Sequence, residues 1–126
     1  MELGAFSISL AVKDIEASRE FYEKLGFKMI VESYPRYVRF ECPEGDATFS
    51  IHLVDQLPQV EGTAIYFEND RLDELVKELQ SSGVVFDELP QDKSWLWREA
   101  RLRDPDNNLI ILYHAGINRK NPPWKI

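Results

Sequence analysis

The sequence predicts a single-domain α+β protein built from two successive modules, each a strand, a helix and three further strands. Two observations predict this: the same order of periodic segments occurs twice, and the two copies keep a fixed offset. Ile8 to Ile65 and Gly26 to Gly83 span the same 57 positions. We therefore divide residues 1–126 as follows. Module 1 covers about 5–54, a linker 55–61, module 2 about 62–114 and a C-terminal tail 115–126.

Module 1 begins with the alternating run Ser7–Val12, which is typical of a half-buried strand. Asp14 is predicted to cap a helix whose apolar residues recur at helical spacing from Ile15 to Leu25. Gly26 is predicted to end that helix in the left-handed conformation. Three strand candidates follow, separated by turn residues: Phe27–Ser33, Arg36–Cys42 and Ala47–Val54.

Module 2 repeats this order. Ala64–Glu68 alternates, Asp70 is the expected cap, and an apolar helical stripe runs from Leu72 to Leu79 before Gly83. Its three strand candidates are Val84–Leu89, Arg98–Arg103 and Leu109–Tyr113. The tail from Gly116 contains Pro122-Pro123, so it is expected to form neither strand nor helix.

The composition narrows the class of protein. Hydrophobic residues make up 44% of the chain, which is ordinary for a globular domain. The net charge of -7 argues against nucleic acid as a partner and weakly favours a cationic small molecule. Cys42 is the single cysteine, so an internal disulfide is excluded. No signal peptide or apolar run of ~20 residues is visible, so we expect a cytoplasmic protein without a membrane partner.

Two segments carry a family resemblance. Val12–Phe27, with Phe21-Tyr22 and Leu25-Gly26-Phe27, resembles the opening motif of the glyoxalase/bleomycin-resistance/extradiol-dioxygenase (vicinal-oxygen-chelate) superfamily. Arg98–Ile110 is similar to its closing motif, with Asn107 where a Gly is usual; Asn tolerates positive φ. The resemblance implies a cupped, barrel-like mixed sheet with the helices outside. It further implies a ligand in the concave cavity and a homodimer.

The resemblance also identifies four positions at which metal-dependent relatives hold a divalent cation with His and Glu. Here these positions are Ser7, His52, Ala64 and Ile111, with Ser50 and Thr63 in alternative registers. One imidazole does not make the roughly three protein ligands that a catalytic metal needs. We therefore expect no metal and no other cofactor. The alternative is a weak metal site formed by His52 together with Glu68 or Glu99. His114, three residues from Ile111, is expected on the opposite face.

Strand alternation divides the side chains between two faces. On one face the strand side chains are apolar, and this face is expected to lie under the helices. Its residues include Ile8, Leu53 and Phe67. On the opposite face the side chains are small, polar, charged or aromatic, and they are expected to line an open cavity. Its candidate ligand-binding residues, with the two tryptophans described next, are Ser7, Ser9, Tyr37, Arg39, His52, Tyr66, Glu68, Trp95, Trp97, Arg101, Ile111 and Tyr113.

Aromatic rings with a few charges suit a planar or amphipathic organic ligand. Arg39 and Arg101 can bind a carboxylate, whereas Glu68 and Glu99 can pair with a ligand cation. The alternative is that these charges pair with each other across strands. Trp95 and Trp97 are interpreted either as a lid or dimer contact, or as packing on the sheet rim. Trp124 is interpreted as an anchor for the tail, on the body or on a partner chain.

Three functions follow as hypotheses. The first is a metal-free small-molecule-binding protein similar to bleomycin-resistance proteins. The second is a lyase-like or dioxygenase-like enzyme with a non-standard site, for which His52, Glu68 and Glu99 are the candidate acid–base residues. No nucleophile–base pair stands at a recognisable spacing, and Cys42 is interpreted as a packing residue. The third is a protein-interaction module that uses the dimer surface.

Overall fold

The computed structural model describes residues 7–57 and 64–126, and the chain divides into two compact units between Gly62 and Thr63. Within the described residues each unit is a strand, a helix and three strands that form one four-stranded sheet. The α+β class and the two βαβββ modules are thereby confirmed. Part of the predicted linker 55–61, residues 58–61, lies outside the described residues.

The elements of the first unit are β1 (Ser7–Val12), α1 (Ile15–Lys24), β2 (Lys28–Ser33), β3 (Tyr37–Glu41) and β4 (Thr48–Leu53). The strands form a mixed sheet in the order β1-β4-β3-β2. The parallel pair is β1 with β4, and the other pairs are antiparallel. Because the first strand lies beside the last, residues about 40 positions apart in sequence become neighbours.

Helix α1 covers the apolar face of this sheet through an aromatic cluster. Tyr22 is completely buried, and its ring lies 4.7 Å from that of Phe49 and 6.0 Å from those of Phe27 and Phe40. The prediction that the apolar strand side chains lie under the helix is therefore correct for the centre of the sheet. Leu53, at the end of β4, is 37% exposed and departs from it.

The second unit repeats the topology in the order β5-β8-β7-β6, again with one parallel pair, β5 with β8. The elements are β5 (Ala64–Glu68), α2 (Leu72–Ser81), β6 (Glu88–Asp92), β7 (Arg98–Arg103) and β8 (Leu109–His114). The prediction of a strand over Val84–Leu89 is wrong at its start. The Val84 amide donates to the Leu79 carbonyl, 3.0 Å away, so the residues after Gly83 complete the end of α2 before β6 begins.

The helix ends follow local signals in three cases out of four. The Asp14 carboxylate accepts a hydrogen bond from the Ala17 amide at 3.1 Å, which confirms that cap. Gly26 and Gly83 have φ of 101° and 93°, the left-handed region predicted for them. The Asp70 cap is wrong, since α2 has no side-chain cap hydrogen bond and Asp70 is 94% exposed.

The expectation that the tail from Gly116 forms no helix is also wrong. Gly116–Arg119 form a short 3-10 helix, which ends before Pro122. Asn107 has φ of 67°, as its place in the closing turn requires. Within residues 7–57 and 64–126, no helix is both long and apolar enough to cross a membrane.

Candidate functional site

The polar face of the second unit is more buried than the sequence suggested. Ile111 and Tyr113 were expected to line an open cavity, yet they are 1% and 7% exposed. Together with Ala115 they form a small apolar cluster, against which Ala64 and Trp97 pack. Ala115 follows β8 and Trp97 precedes β7, so part of this packing comes from residues outside the strands, which strand alternation alone does not reveal.

Three aromatic rings meet on this face. Trp97 and Tyr113 stack with their centroids 4.5 Å apart and their planes at 15°. Tyr66 stands edge-on to both, at 6.0 and 5.7 Å. The Trp97 indole also donates to the carbonyl of Asn118 at 3.3 Å, so the tail helps to hold it. Tyr66 is 46% exposed and leaves one ring of the group open to a ligand.

Glu99 lies beside this group, because β7 pairs it with Tyr113 on β8. It is 1% exposed, and its Oε2 accepts a hydrogen bond from the Trp95 indole at 2.7 Å. Its Oε1 lies 4.0 Å from Nη2 of Arg101, beyond hydrogen-bond distance. Among the described residues neither Glu99 Oε1 nor Arg101 Nε has a hydrogen-bond partner. Buried polar atoms are rarely left unsatisfied, so this carboxylate is suited to meet a further donor.

Glu68 joins the tail to the sheet. Its Oε2 accepts from the amides of Ala115 and Gly116 at 2.8 and 2.9 Å, and its Oε1 lies 3.0 Å from Nε of Arg119. Burial acts to raise the pKa of Glu68, but the two amides and the arginine outweigh it and the pKa lies below its ordinary value. Its carboxylate is therefore occupied within the protein.

His114 lies on the face opposite to Ile111, as predicted, because β7 pairs it with Arg98, whose guanidinium contacts Asp73 on α2. Its Nδ1 is 3.9 Å from Glu68 Oε2 and 3.8 Å from Asp70 Oδ1.

The polar face of the first unit carries a second group, Ser9, Tyr37, Arg39, Ser50 and His52, which we term the donor cluster. Ser9 Oγ is 2.8 Å from His52 Nδ1, and Arg39 Nε donates to the Tyr37 hydroxyl at 2.9 Å. The pKa of Tyr37 is lowered by its hydrogen bond with Ser50 and then by Arg39. Ser7, also predicted for the site, lies exposed at the start of β1.

Sequence spacing showed no nucleophile–base pair, yet Ser9 and His52 are in contact. They are 43 positions apart, and the parallel register of β1 and β4 joins them by placing Ser9 opposite Ser50 and Ala11 opposite His52. The signal that could have found this contact is the pairing of the first and last strands of the module.

The residues at the family's metal positions do not fit a metal centre of that kind. Among the described residues, no group of three or more His, Cys, Asp or Glu side chains is placed to hold an ion. Ala64 and Ile111 belong to the apolar cluster of the second unit, and His52 Nδ1 is in contact with Ser9. Of the alternative candidates, Glu68 is engaged by the tail and Glu99 by Trp95.

Trp95 lies within the turn between β6 and β7, and Trp97 lies at its end, just before β7. The Lys93 amide donates to the Trp97 carbonyl at 2.8 Å, and Leu96 within the turn has φ of 66°. Trp97 packs on the sheet, whereas Trp95 is 42% exposed and donates to Glu99. Trp124 is 57% exposed.

Cys42 is half-buried just beyond β3, and burial raises the pKa of its thiol. A thiol with a raised pKa carries little thiolate at neutral pH, so this environment does not favour a nucleophile. The interpretation of Cys42 as a packing residue is consistent with it.

A model of the Glyoxalase/Bleomycin resistance protein/Dioxygenase superfamily matches residues 4–112 of this chain. The chain belongs to this superfamily. It is 31% identical over 120 residues to "Uncharacterized protein YraH" of Bacillus subtilis (strain 168), a match that covers 84% of this chain and 94% of that one. Membership of the superfamily suggests that the chain binds a small molecule.

Two solved structures show the same fold. A glyoxalase/bleomycin resistance protein/dioxygenase from Nocardioides superposes with a TM-score of 0.78 at 19% identity, covering 100% of this chain and 91% of that one. Lactoylglutathione lyase from Agrobacterium tumefaciens superposes with a TM-score of 0.74 at 16% identity, covering 89% and 93%. At these identities the likeness concerns the fold alone.

Proposed function

We propose that this chain is a metal-free small-molecule-binding protein, similar to bleomycin-resistance proteins, and that it holds an aromatic cation on the polar face of the second unit. The observation that carries the proposal is Glu99, a buried carboxylate whose Oε1 has no hydrogen-bond partner among the described residues. The stacked rings of Trp97 and Tyr113 lie beside it. We call Tyr66, Trp95, Trp97, Glu99 and Tyr113 the acidic aromatic face.

The chemistry of this face favours a positive charge. A buried carboxylate with one oxygen that accepts no hydrogen bond leaves part of its desolvation cost unrecovered, and a charged donor from a ligand recovers that part. Arg101 Nη2, at 4.0 Å, offsets part of the charge of Glu99 but is too far to donate a hydrogen bond to Oε1. The rings of Tyr66, Trp97 and Tyr113 add stacking and cation–π attraction, and Tyr66 is the most exposed of the three. The ligand that satisfies both features is a planar aromatic group bearing an ammonium or amidinium.

The metal-free part of the proposal rests on Ala64 and Ile111. These residues take the positions of the second unit where the resemblance expects ligands, and they belong to its apolar cluster. Without coordinating atoms there, the ligand is bound by the carboxylate and the rings.

The test is a fluorescence and thermal-stability titration in the presence of a chelator. The probes are a cationic glycopeptide antibiotic, an aromatic amidine, the matching neutral amide and an aromatic acid. A true ligand at 100 times its dissociation constant should add about 2.7 kcal/mol to the free energy of unfolding. We expect the amidine to bind more tightly than the amide.

Glu99→Gln keeps the shape of the side chain and removes its charge, so it should weaken amidine binding by about tenfold or more. Glu20→Gln, an exposed position on α1, removes the same charge and should leave the affinity unchanged. Equal weakening by both variants, or no stabilisation by any probe, would overturn the proposal.

An enzyme is the second candidate, and the contact between Ser9 and His52 is the observation that favours it. A hydroxyl in contact with an imidazole is the arrangement used in acid–base and nucleophilic catalysis. Because lactoylglutathione lyase from Agrobacterium tumefaciens shares this fold, lactoylglutathione is a first compound to assay. Turnover that persists in His52→Ala would argue against a role for this residue. Turnover that is lost there would place the enzyme first.

We further propose a cytoplasmic homodimer. The edge strand β2 exposes Ile30 (43%) and Val31 (37%), apolar side chains that a second chain can cover. Light scattering after gel filtration should give twice the mass of one chain, and a monomer at all concentrations would contradict the proposal. Cell fractionation tests the location. If the chain is instead an interaction module, Trp95→Ala should weaken partner binding more than Arg101→Gln does.

A further inference from the structure

The donor cluster of the first unit has a chemistry opposite to that of the acidic aromatic face. Each of its five side chains can donate a hydrogen bond, and none carries a negative charge at neutral pH. They come from three adjacent strands, since Ser9 on β1 pairs with Ser50 on β4, and Ser50 pairs with Arg39 on β3. His52 and Tyr37 form the next row of the same face.

Arg39 is the one full positive charge of this cluster, and among the described residues no carboxylate neutralises it. Its Nε donates to the Tyr37 hydroxyl at 2.9 Å, and its guanidinium lies 5.5 Å from the Tyr37 ring centroid. In the described part of the chain no carboxylate lies within 4.0 Å of it, whereas Arg19, Arg98 and Arg119 each have one. With Nε engaged, the two terminal nitrogens of the guanidinium remain for a ligand.

The other side chains are arranged to support these nitrogens. In the tautomer that has its proton on Nε2, His52 accepts from Ser9 through Nδ1, 2.8 Å away, and keeps Nε2–H to donate. The Tyr37 hydroxyl is held by both Arg39 and Ser50, and the pKa of Tyr37 is lowered, chiefly by the Ser50 hydrogen bond. The surroundings of that hydroxyl therefore favour a negative charge.

We propose that the donor cluster is an oxyanion-binding site, which takes the carboxylate or phosphate group of a small ligand on the terminal nitrogens of Arg39, with His52 as the second donor. The planar guanidinium matches such a group bidentately. The donor cluster and the acidic aromatic face share no residue, and the inference does not rest on the proposed function.

The test follows the imidazole resonances of His52 by NMR in the full chain while benzoate, inorganic phosphate or the neutral benzamide is added. We expect saturable shifts with benzoate or phosphate and none with benzamide, with a dissociation constant of about 1 mM. Whichever anion binds more tightly identifies carboxylate or phosphate as the preferred group.

Arg39→Gln should weaken anion binding about tenfold. Arg36→Gln, an exposed arginine just before β3, is the matched control and should change it less than twofold, since only general charge is lost there. This titration uses anions and is followed at His52, whereas the proposed function is tested with an amidine and Glu99→Gln, so the two proposals can fail independently. The inference is overturned if neither anion shifts His52 saturably, or if Arg36→Gln and Arg39→Gln weaken binding equally.

Discussion

The carboxylate of Glu68 is expected to be a principal attachment of the C-terminal tail, and Glu68→Ala tests this. The substitution removes the acceptor of two amide hydrogen bonds, from Ala115 and Gly116 at 2.8 and 2.9 Å, and the partner of Arg119 at 3.0 Å. A hydrogen bond to a charged group contributes about 1.5–3 kcal/mol when buried. The Glu68 side chain is 23% exposed and Arg119 is 49% exposed, so solvent weakens both interactions.

We therefore expect Glu68→Ala to lower the free energy of unfolding by about 2–3 kcal/mol. Glu68→Gln keeps one carbonyl acceptor and should cost roughly half as much. The assay is urea unfolding, in which a loss of 2 kcal/mol moves the midpoint by about 1 M at an unchanged slope. Glu20→Ala, on the surface of α1, is the control and should have little effect.

The pH dependence has a definite sign. The pKa of Glu68 is lowered in the folded protein, so its stabilisation is complete above the ordinary glutamate pKa and is lost as pH falls through the folded value. The difference between the wild type and Glu68→Gln should therefore shrink in acid. Hydrogen exchange at the Ala115 and Gly116 amides should quicken in both variants. Unchanged exchange there, or a loss in Glu68→Ala no larger than in Glu20→Ala, would refute the reasoning.

Two further predictions concern local structure. Asp14→Ala should lower the free energy of unfolding by about 1 kcal/mol because Asp14 caps α1. Asp70→Ala should cost almost nothing, since Asp70 does not cap α2. Equal losses of the two variants in thermal unfolding would contradict this. Leu96 has φ of 66° and is 46% exposed, so Leu96→Gly should stabilise the turn by about 0.5–1 kcal/mol. Asn107→Gly, at φ of 67°, should gain less because Asn tolerates this conformation. A Leu96→Gly variant that is less stable than the wild type would show that packing of the Leu96 side chain decides instead.

Features that depend on neighbours in sequence were predicted well. The Asp14 cap, the two glycines after the helices and the turn at Asn107 each follow from one residue's local conformational preference. The βαβββ order was predicted from periodicity, because each buried face repeats at the spacing of its own element.

Features that depend on distant parts of the chain were not predicted. The contact between Ser9 and His52 needs the parallel pairing of β1 with β4. The burial of Glu99, Ile111 and Tyr113 is not indicated by alternation. Alternation assigns a residue to a face but does not show what covers that face. The late start of β6 is a local exception, because the residues after Gly83 first complete hydrogen bonds at the end of α2.

The central claim is that an aromatic cation binds beside Glu99, and the indole NH signals of the three tryptophans test it most directly. Trp95 donates to the Glu99 carboxylate and Trp97 stacks on Tyr113, whereas Trp124 lies in the tail at 57% exposure. The chelator-treated protein is titrated with an aromatic amidine and followed by NMR. The account predicts that the Trp95 and Trp97 signals shift saturably together and that Trp124 stays still. In Glu99→Gln the shifts at the same amidine concentration should be much smaller, in line with binding about tenfold weaker. Shifts at Trp124 alone, or identical shifts in Glu99→Gln, would contradict it.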